Sequence, residues 1–145
     1  MTIFSTRSIT IAIAITASFL AGCTPSPKAE NKKPEEIVSA RATERWQELM
    51  KLNFDGAYAY LAPSVKTVVS ANGFKNRFSI DPRETQAPWI KAEVRSVVCT
   101  DNESCNVQMY VESQNNIPTF KNMKTSALID ERWIEQDGQW WLYMK

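Results

Sequence analysis

Few side chains of this 145-residue chain have catalytic or metal-binding potential, and one residue type is missing altogether. The chain contains three cysteines and no histidine. Without histidine there is no imidazole to act as a general base, to activate a serine or cysteine nucleophile, or to ligate zinc. The sequence therefore excludes histidine-dependent catalysis of the serine or cysteine type.

Acids and tyrosines are the other groups with catalytic potential, and their spacing selects no site. The available side chains are Tyr58, Tyr60, Tyr110, Tyr143, Asp55 and Asp130. Asp55 suits a helix cap, and Asp130 can pair with Arg132 on one strand face. There is also no glycine-rich phosphate loop and no carboxylate cluster with calcium-loop spacing. We expect no catalytic residue, no metal and no cofactor.

The N-terminal segment has the features of a signal that directs the protein to a cellular compartment. Residues 1–7 carry one positive charge, and residues 9–20 are almost wholly apolar. That apolar run is shorter than the ~20 residues that span a bilayer. A basic start, a short apolar core and small residues after it are typical of a secretory signal peptide.

The end of this segment, Leu20-Ala21-Gly22-Cys23, resembles the lipobox of bacterial lipoproteins. The resemblance implies cleavage after residue 22 and a Cys23 that carries the lipid, with more than one acyl chain for stable anchoring. Threonine at position 24, where aspartate favours the inner membrane, implies the outer membrane facing the periplasm. We thus expect a signal peptide at 1–22, lipidated Cys23 with a flexible polar tether to residue 33, and one domain at 34–145.

Removal of the signal peptide changes the charge. The net charge of +1 falls to zero, because residues 1–22 contain Arg7 and no acid. A neutral domain whose aromatic residues are not interleaved with basic ones gives no reason to expect nucleic acid as a partner. The membrane, reached through the lipid, is the expected partner.

The other two cysteines, Cys99 and Cys105, enclose a polar segment that suits a hairpin loop. Their spacing is neither the C-x-x-C of redox proteins nor a zinc pattern. In an exported protein we therefore expect a structural disulfide, with a chain-entropy contribution of about 2.4 kcal/mol.

The domain begins with helices. Pro34, Glu35 and Glu36 are typical of a helix start, and apolar residues then recur at helical spacing to about Leu52. Asn53 or Asp55 can cap a second short helix. We expect a third helix from Pro63, with Val65, Val68 and Val69 inward and Gly73 at its end, and irregular chain over residues 74–88.

From Trp89 the pattern alternates with a period of two, which predicts strands at 89–98, 105–111, 124–136 and 139–145. In the first strand we expect Ile90, Ala92, Val94, Ser96 and Val98 to face the core. Direct pairing of Cys99 with Cys105 puts the apolar faces of the first two strands out of phase. We predict a β-bulge near the cysteines that restores the phase.

Asp137-Gly138 predicts a two-residue hairpin turn between the last two strands. It pairs Trp133 with Leu142, Ile134 with Trp141 and Arg132 with Tyr143. Such a turn requires an antiparallel sheet. The predicted fold is therefore α+β, with N-terminal helices packed on a bulged four-stranded antiparallel sheet.

This layout resembles the nuclear transport factor 2-like superfamily, also called the cystatin-like cone. The resemblance covers residues 34–145. It depends on Arg45-Trp46 and Asp55-Gly56-Ala57-Tyr58, and on Arg132-Trp133 with Asp137-Gly138-Gln139-Trp140-Trp141. It implies a curved, cone-like sheet around a pocket. The superfamily includes isomerases and dehydratases, and an isomerase-like site would need a buried carboxylate and a tyrosine or protonated acid.

The five tryptophans, at 46, 89, 133, 140 and 141, are the remaining functional signal. Trp46 and Trp133 suit the core, whereas Trp140 and Trp141 are adjacent in a strand and must point to opposite faces. The candidate pocket consists of Trp46, Tyr58, Tyr110, Trp133 and Trp141. Trp140 is the candidate interaction surface. We expect a non-catalytic binding or interaction domain, with a small apolar or aromatic ligand or an envelope protein as its partner.

Overall fold

The computed structural model describes residues 32–78, 88–114 and 123–144. These residues form four helices, α1 (Pro34–Met50), α2 (Phe54–Ala59), α3 (Pro63–Lys66) and α4 (Ala71–Phe78). Four strands follow, β1 (Trp89–Cys99), β2 (Ser104–Gln114), β3 (Lys124–Gln136) and β4 (Gln139–Tyr143). The predicted signal peptide, Cys23, and most of the tether lie outside the described residues. Within the described residues, no helix has both the length and the apolar character needed to cross a membrane.

Helix α1 begins as predicted, with Pro34 in its first turn beside two acids. Proline lacks the N–H that would be unsatisfied there, and negative charge is favourable at a helix N-terminus. The buried face of the helix carries Val38, Ala42, Trp46 and Leu49. Arg45 lies in the same buried stripe and is 3% exposed.

Of the two predicted caps of α2, Asn53 is confirmed, because its side chain accepts a hydrogen bond from the backbone N–H of Gly56 at 3.1 Å, whereas Asp55 lies within the first turn of the helix. The prediction for the third helix is wrong in two respects. Helix α3 ends at Lys66, and Val68 beyond it is 81% exposed. Gly73 does not end a helix but lies inside α4, where its N–H donates to the Ser70 hydroxyl.

The start of α4 was not predicted, because Gly73 was expected to end the third helix and Ser70 was not considered as an N-cap. A serine that accepts a hydrogen bond three residues later satisfies one of the free N–H groups at a helix N-terminus. Residues 74–78 are consequently helical rather than irregular, and Phe74 is fully buried. The remainder of the predicted irregular segment, 79–87, lies outside the described residues.

The four strands form one antiparallel sheet in the order β1-β2-β3-β4, which confirms the predicted fold class. The predicted pairs of Trp133 with Leu142, Ile134 with Trp141 and Arg132 with Tyr143 are all present. Asp137 and Gly138 join β3 to β4 with φ angles of 57° and 77°. Two successive positive φ angles are the signature of the type I′ turn that matches strand twist.

The predicted bulge is also confirmed. Cys99 pairs with Cys105 and Val97 with Val107, and the register then shifts between Val94 and Ser96. The shift returns Val94 to the position opposite the buried Met109. The predicted disulfide between Cys99 and Cys105 is present and joins the two strands at their hairpin end.

A second register shift, between Trp89 and Lys91, corrects the predicted inward face of β1. Ile90 is 42% exposed and Val98 is 60% exposed. Each bulge changes by one residue which side chains face the core. The strand therefore directs Ala92 and Val94 inward, as predicted, but Trp89, Val97 and Cys99 in place of Ile90, Ser96 and Val98.

The core lies between the helices and one face of the sheet. That face supplies the buried residues Cys105, Val107, Met109, Val111, Trp133, Trp140 and Leu142. The segment after α2 also extends the sheet, because Leu61 forms a parallel bridge with Leu142 on the free edge of β4. The N–H of Leu142 donates to the Tyr60 carbonyl, and the N–H of Ala62 donates to the Leu142 carbonyl.

Candidate functional site

The most unusual side chain in the core is a carboxylate, that of Glu131. The hairpin register places it on the inner face of β3, in phase with Trp133, and it is 7% exposed. Oε1 accepts hydrogen bonds from Arg45 Nη1 at 2.5 Å and from Trp46 Nε1 at 2.7 Å. Oε2 accepts from Trp133 Nε1 at 3.1 Å. A buried charge is tolerated in this way only when it is paired and hydrogen-bonded.

Arg45 is the cation of this pair and reaches Glu131 from α1. Burial lowers the pKa of Arg45, whereas the charge of Glu131 and its hydrogen bond act in the opposite direction. The guanidinium also lies over the rings of Trp46, at 5.7 Å, and Phe78, at 5.9 Å. Its Nε is buried and has no hydrogen-bond partner within the described residues. Arg45 therefore keeps one buried donor that a ligand could use.

A cavity of about 310 Å³ opens beside this ion pair. Most of its wall is apolar or aromatic, and the wall also includes the charged side chains of Asp130 and Arg132. The lining residues are Arg45, Trp46, Phe78, Ile129, Asp130, Glu131, Arg132, Leu142, Tyr143 and Met144. An apolar wall with a few polar groups is the usual form of a small-molecule site, and this volume is at the lower end of the common range.

The arrangement is better suited to binding than to proton transfer. Both oxygens of Glu131 already accept hydrogen bonds from Arg45, Trp46 and Trp133. A general base must reach the proton that it abstracts, and these three donors occupy the positions from which it would do so. Within the described residues, the partners of Glu131 include no tyrosine hydroxyl, which is the pairing that the isomerase-like alternative needs.

The structure does not bring the five predicted pocket residues together. Trp46 lines the cavity, and Trp133 contributes its indole N–H to Glu131 but is fully buried. Tyr58 lies among the helices, where its hydroxyl donates to the Val69 carbonyl. Tyr110 lies on the opposite face of the sheet, where Arg95 Cζ is 4.5 Å from the centroid of the Tyr110 ring. The expectation of one cavity lined by all five is corrected, because β2 alternates and Tyr110 falls on its outward side.

The two adjacent tryptophans do point to opposite faces, and Trp140 is the buried one. Trp140 is 6% exposed and belongs to the core, so it is not an interaction surface. Trp141 is half-buried, and its indole N–H donates to the Gln136 carbonyl at 3.1 Å. The turn fixes this outcome, since Trp140 pairs with Glu135 in phase with Trp133.

The other acids and tyrosines considered for catalysis are dispersed. Asp55 is exposed in the first turn of α2, and Asp130 is exposed and accepts from Gln108 Nε2 at 3.3 Å. Tyr60 donates to Glu44 Oε2 at 3.0 Å, and Tyr143 lines the cavity. Within the described residues, no group of three or more cysteine, aspartate or glutamate side chains could hold a metal ion.

Sequence reasoning missed both Arg45 and Glu131, although a usable signal was present. Arg45 stands in the apolar stripe of α1, three residues after Ala42 and four before Leu49. Glu131 stands between Ile129 and Trp133 on the face that the Asp137-Gly138 turn directs inward. Opposite charges at two in-phase buried positions indicate a buried ion pair.

Comparisons with known proteins add a likeness of fold. No family model matches the chain, and no curated protein matches its sequence. The solution structure of a SEC-C motif containing protein from Rhodopseudomonas palustris is similar with a TM-score of 0.55 and 10% identity, over 72% of this chain and 73% of that one. At this identity the likeness shows a common fold alone.

A second similar structure, from Campylobacter jejuni, is named as that of an NTF2-like transpeptidase. It is similar with a TM-score of 0.44 and 11% identity, over 79% of this chain and 100% of that one. That score is too low to support an argument about this chain. The α+β fold is therefore established by the sheet and helices themselves, and membership of the NTF2-like superfamily stays a prediction.

Proposed function

We propose that this chain is a non-catalytic binding domain, attached through Cys23 to the outer membrane and facing the periplasm, whose cavity beside Glu131 takes a small, mainly apolar ligand. The observation that supports the proposal most is the buried Nε of Arg45, which has no hydrogen-bond partner within the described residues and belongs to a residue of the cavity wall. A ligand with one carbonyl, hydroxyl or carboxylate oxygen would accept that hydrogen bond and place its apolar part against Trp46, Phe78 and Ile129.

We also infer that the helices and sheet form the cone of the NTF2-like superfamily. Two register shifts in β1 support this inference, because bulges bend a strand and increase its twist. The position of the cavity, between α1 and the inward face of β3, is the one that a cone would enclose. The binding proposal does not depend on this classification, since it is argued from the cavity wall.

The charges in the wall indicate how the site would select a ligand. The Arg45–Glu131 pair is neutral as a unit, and the wall also holds Asp130 and Arg132. A wall with balanced charge gives no strong attraction to either anions or cations. Selection would therefore come from shape and from the Nε–H of Arg45, which fits a ligand with an acceptor atom.

The test is native mass spectrometry of the full chain released from envelopes in a non-ionic detergent. The wild-type protein should carry a small molecule that the variant Met144→Trp lacks, because the larger indole fills the cavity. Leu128→Trp is the matched control: Leu128 is 59% exposed and lies away from the cavity wall, so this variant should keep the ligand.

Arg45→Lys separates the role of the free donor from that of the cavity, because lysine keeps the charge beside Glu131 but lacks Nε. It should bind the ligand about tenfold more weakly, the effect expected for one lost hydrogen bond. A wild-type protein that carries no small molecule, or a Met144→Trp variant that carries the same one, would refute the proposal.

A further inference from the structure

A second group of cations and aromatic rings lies away from the Glu131 cavity, where the segment Tyr60–Ala62 runs beside β4. We call it the Trp141 cluster, and it consists of Arg41, Tyr58, Tyr60, Lys66 and Trp141. Arg41 Cζ lies 5.4 Å from the centroid of the Trp141 ring, and Lys66 Nζ lies 5.2 Å from it. Arg41 also lies 5.1 Å from the ring of Tyr60, and Lys66 lies 5.6 Å from the ring of Tyr58.

Both cations of the cluster have unused hydrogen-bonding capacity. Arg41 Nε is buried and has no partner within the described residues. Lys66 Nζ has three N–H groups, of which one donates to the Ala59 carbonyl at 2.8 Å. In the part of the chain that the structure describes, no carboxylate forms an ion pair with either cation.

The two cations also disfavour each other. Burial lowers the pKa of Lys66, and the charge of Arg41 lowers it further. Two like charges held against one ring, with no counter-charge between them, are less stable than the same pair bridged by an anion. A negatively charged group bound close to both cations would reduce this repulsion.

Two nearby acids, Glu44 and Glu48, hydrogen-bond to other groups, and within the described residues neither forms an ion pair with Arg41 or Lys66. Glu44 accepts the hydrogen bond of the Tyr60 hydroxyl. Glu48 accepts from Lys51 Nζ at 2.9 Å and from Asn53 Nδ2 at 2.5 Å. A cavity of about 310 Å³ meets the cluster at Arg41 and Tyr60, and its wall is completed by Glu48, Gly56 and Ala59. An anion can thus approach Arg41 from solvent.

We propose that the Trp141 cluster binds the phosphate group of a phosphate monoester, with Arg41 Nε–H and the Lys66 ammonium as donors. Two cations match the two charges of a phosphate monoester better than the single charge of a carboxylate. The rings of Tyr60 and Trp141 provide a surface for an aromatic or apolar group attached to the phosphate. This site shares no residue with the cavity beside Glu131.

The test is a titration of the ¹⁵N-labelled full chain, in a non-ionic detergent, with phenyl phosphate at pH 8 and constant ionic strength. The readout is the NMR resonance of the Trp141 indole N–H, identified by its loss in Trp141→Phe. Phenyl phosphate should shift this resonance saturably. Benzoate, which has the same ring and one charge, should bind at least about tenfold more weakly, the change expected for one lost charge-assisted hydrogen bond.

Variants separate the site from a general charge effect. Lys66→Gln should weaken phenyl phosphate binding about tenfold or more, and Arg41→Lys, which keeps the charge but loses Nε, should weaken it less. Lys75→Gln removes the same charge from the exposed face of α4 and should bind like the wild type. Equal binding of benzoate, or equal weakening by Lys75→Gln, would overturn the proposal, as would the lack of any saturable shift.

Discussion

At the residue scale, Glu131 shows what a buried charge requires of its neighbours. Its two oxygens accept three hydrogen bonds, from a guanidinium and from two indoles that come from α1 and β3. Each indole N–H would itself need a partner in the core, so the carboxylate also satisfies Trp46 and Trp133. Loss of the carboxylate would leave three buried donors without their acceptor, and one of these donors, Arg45, would also lose its counter-charge.

The first prediction concerns this ion pair. Glu131→Gln removes the counter-charge of Arg45 and should destabilise the protein by about 3–5 kcal/mol, because a buried charge is left unpaired. Urea denaturation followed by circular dichroism measures the change. Glu93→Gln, which disrupts the exposed pair with Lys91 at 3.1 Å, is the control and should cost about 1 kcal/mol or less.

The double variant Arg45→Met with Glu131→Met provides the complementary check. Replacement of both charges by apolar groups should restore much of the stability that Glu131→Gln loses. A double variant no more stable than Glu131→Gln would show that the indole hydrogen bonds, rather than the unpaired charge, dominate.

The second prediction concerns pH. Hydrogen bonds from Lys51 and Asn53 lower the pKa of Glu48 below its ordinary value of 4.5. A carboxylate with a lowered pKa in the folded state stabilises the protein above its unfolded pKa and loses that contribution as the pH falls through the folded one. The stability difference between the wild type and Glu48→Gln, measured in urea, should therefore be present at pH 7 and shrink as the pH falls below 4.5, through the lowered pKa of the folded state. A difference independent of pH would contradict this assignment.

At the element scale, the β3–β4 hairpin shows how a short local signal determines distant contacts. The Asp137-Gly138 turn sets the register that places Trp133 opposite Leu142 and directs Glu131 toward Arg45, far away in sequence. A shift by one residue would move every one of these side chains to the other face. The site beside Glu131 therefore depends on the turn.

The third prediction tests this turn. Gly138 has a φ of 77°, and a Cβ at this position would meet no atom within 4 Å. The cost of Gly138→Ala is thus one of backbone conformation and should be about 1 kcal/mol in urea denaturation. Asp137→Asn is the control, because asparagine also tolerates a positive φ, and it should stay within about 0.5 kcal/mol of the wild type. Equal losses in both variants would count against the assignment of a type I′ turn.

The elements differ in how much of them could be predicted, and the reason is the range of the interactions involved. The register of the hairpin follows from two adjacent residues, so it was predicted correctly. The bulge near Arg95 followed from a conflict between cysteine pairing and alternation, but the second bulge, after Trp89, left no conflict to detect. The exposure of Ile90 was missed for that reason.

The site was predicted less well than the fold, because it is formed by charged residues on faces that were treated as apolar. Arg45 and Glu131 contribute to the core only as a pair, and each alone contradicts the hydrophobic pattern of its element. Five aromatic residues, by contrast, were expected to line the pocket that the superfamily resemblance implies. Strand alternation then placed Tyr110 and Trp133 on opposite faces.

At the scale of the whole molecule, the described residues hold two chemically different candidate sites on a single domain. The cavity beside Glu131 is mainly apolar with balanced charges, and the Trp141 cluster has two cations without an acid partner in the described residues. Helix α1 contributes to both, through Arg45 and Arg41, one turn apart. Neither site uses the predicted anchor, so binding and attachment can be tested separately.

The fourth prediction concerns attachment. Cys23→Ser removes the thiol that the lipobox resemblance identifies as the acylation site, and it should move the protein from the membrane pellet to the soluble fraction. Incorporation of radiolabelled palmitate should be lost at the same time. Cys99→Ser, which leaves Cys23 in place, should remain in the pellet. A Cys23→Ser protein that still sediments with membranes would contradict the predicted anchor.

The contact between Leu61 and Leu142 has a further consequence, for self-association. An exposed strand edge presents free N–H and carbonyl groups and can recruit another chain into a growing polymer. At the β4 edge of this sheet, the backbone of Tyr60 and Ala62 already hydrogen-bonds to both the N–H and the carbonyl of Leu142. At the opposite edge, two bulges in β1 interrupt the regular spacing of its backbone hydrogen-bonding groups. We therefore expect the folded domain to resist edge-to-edge polymerisation even at the high local concentrations found on a crowded surface.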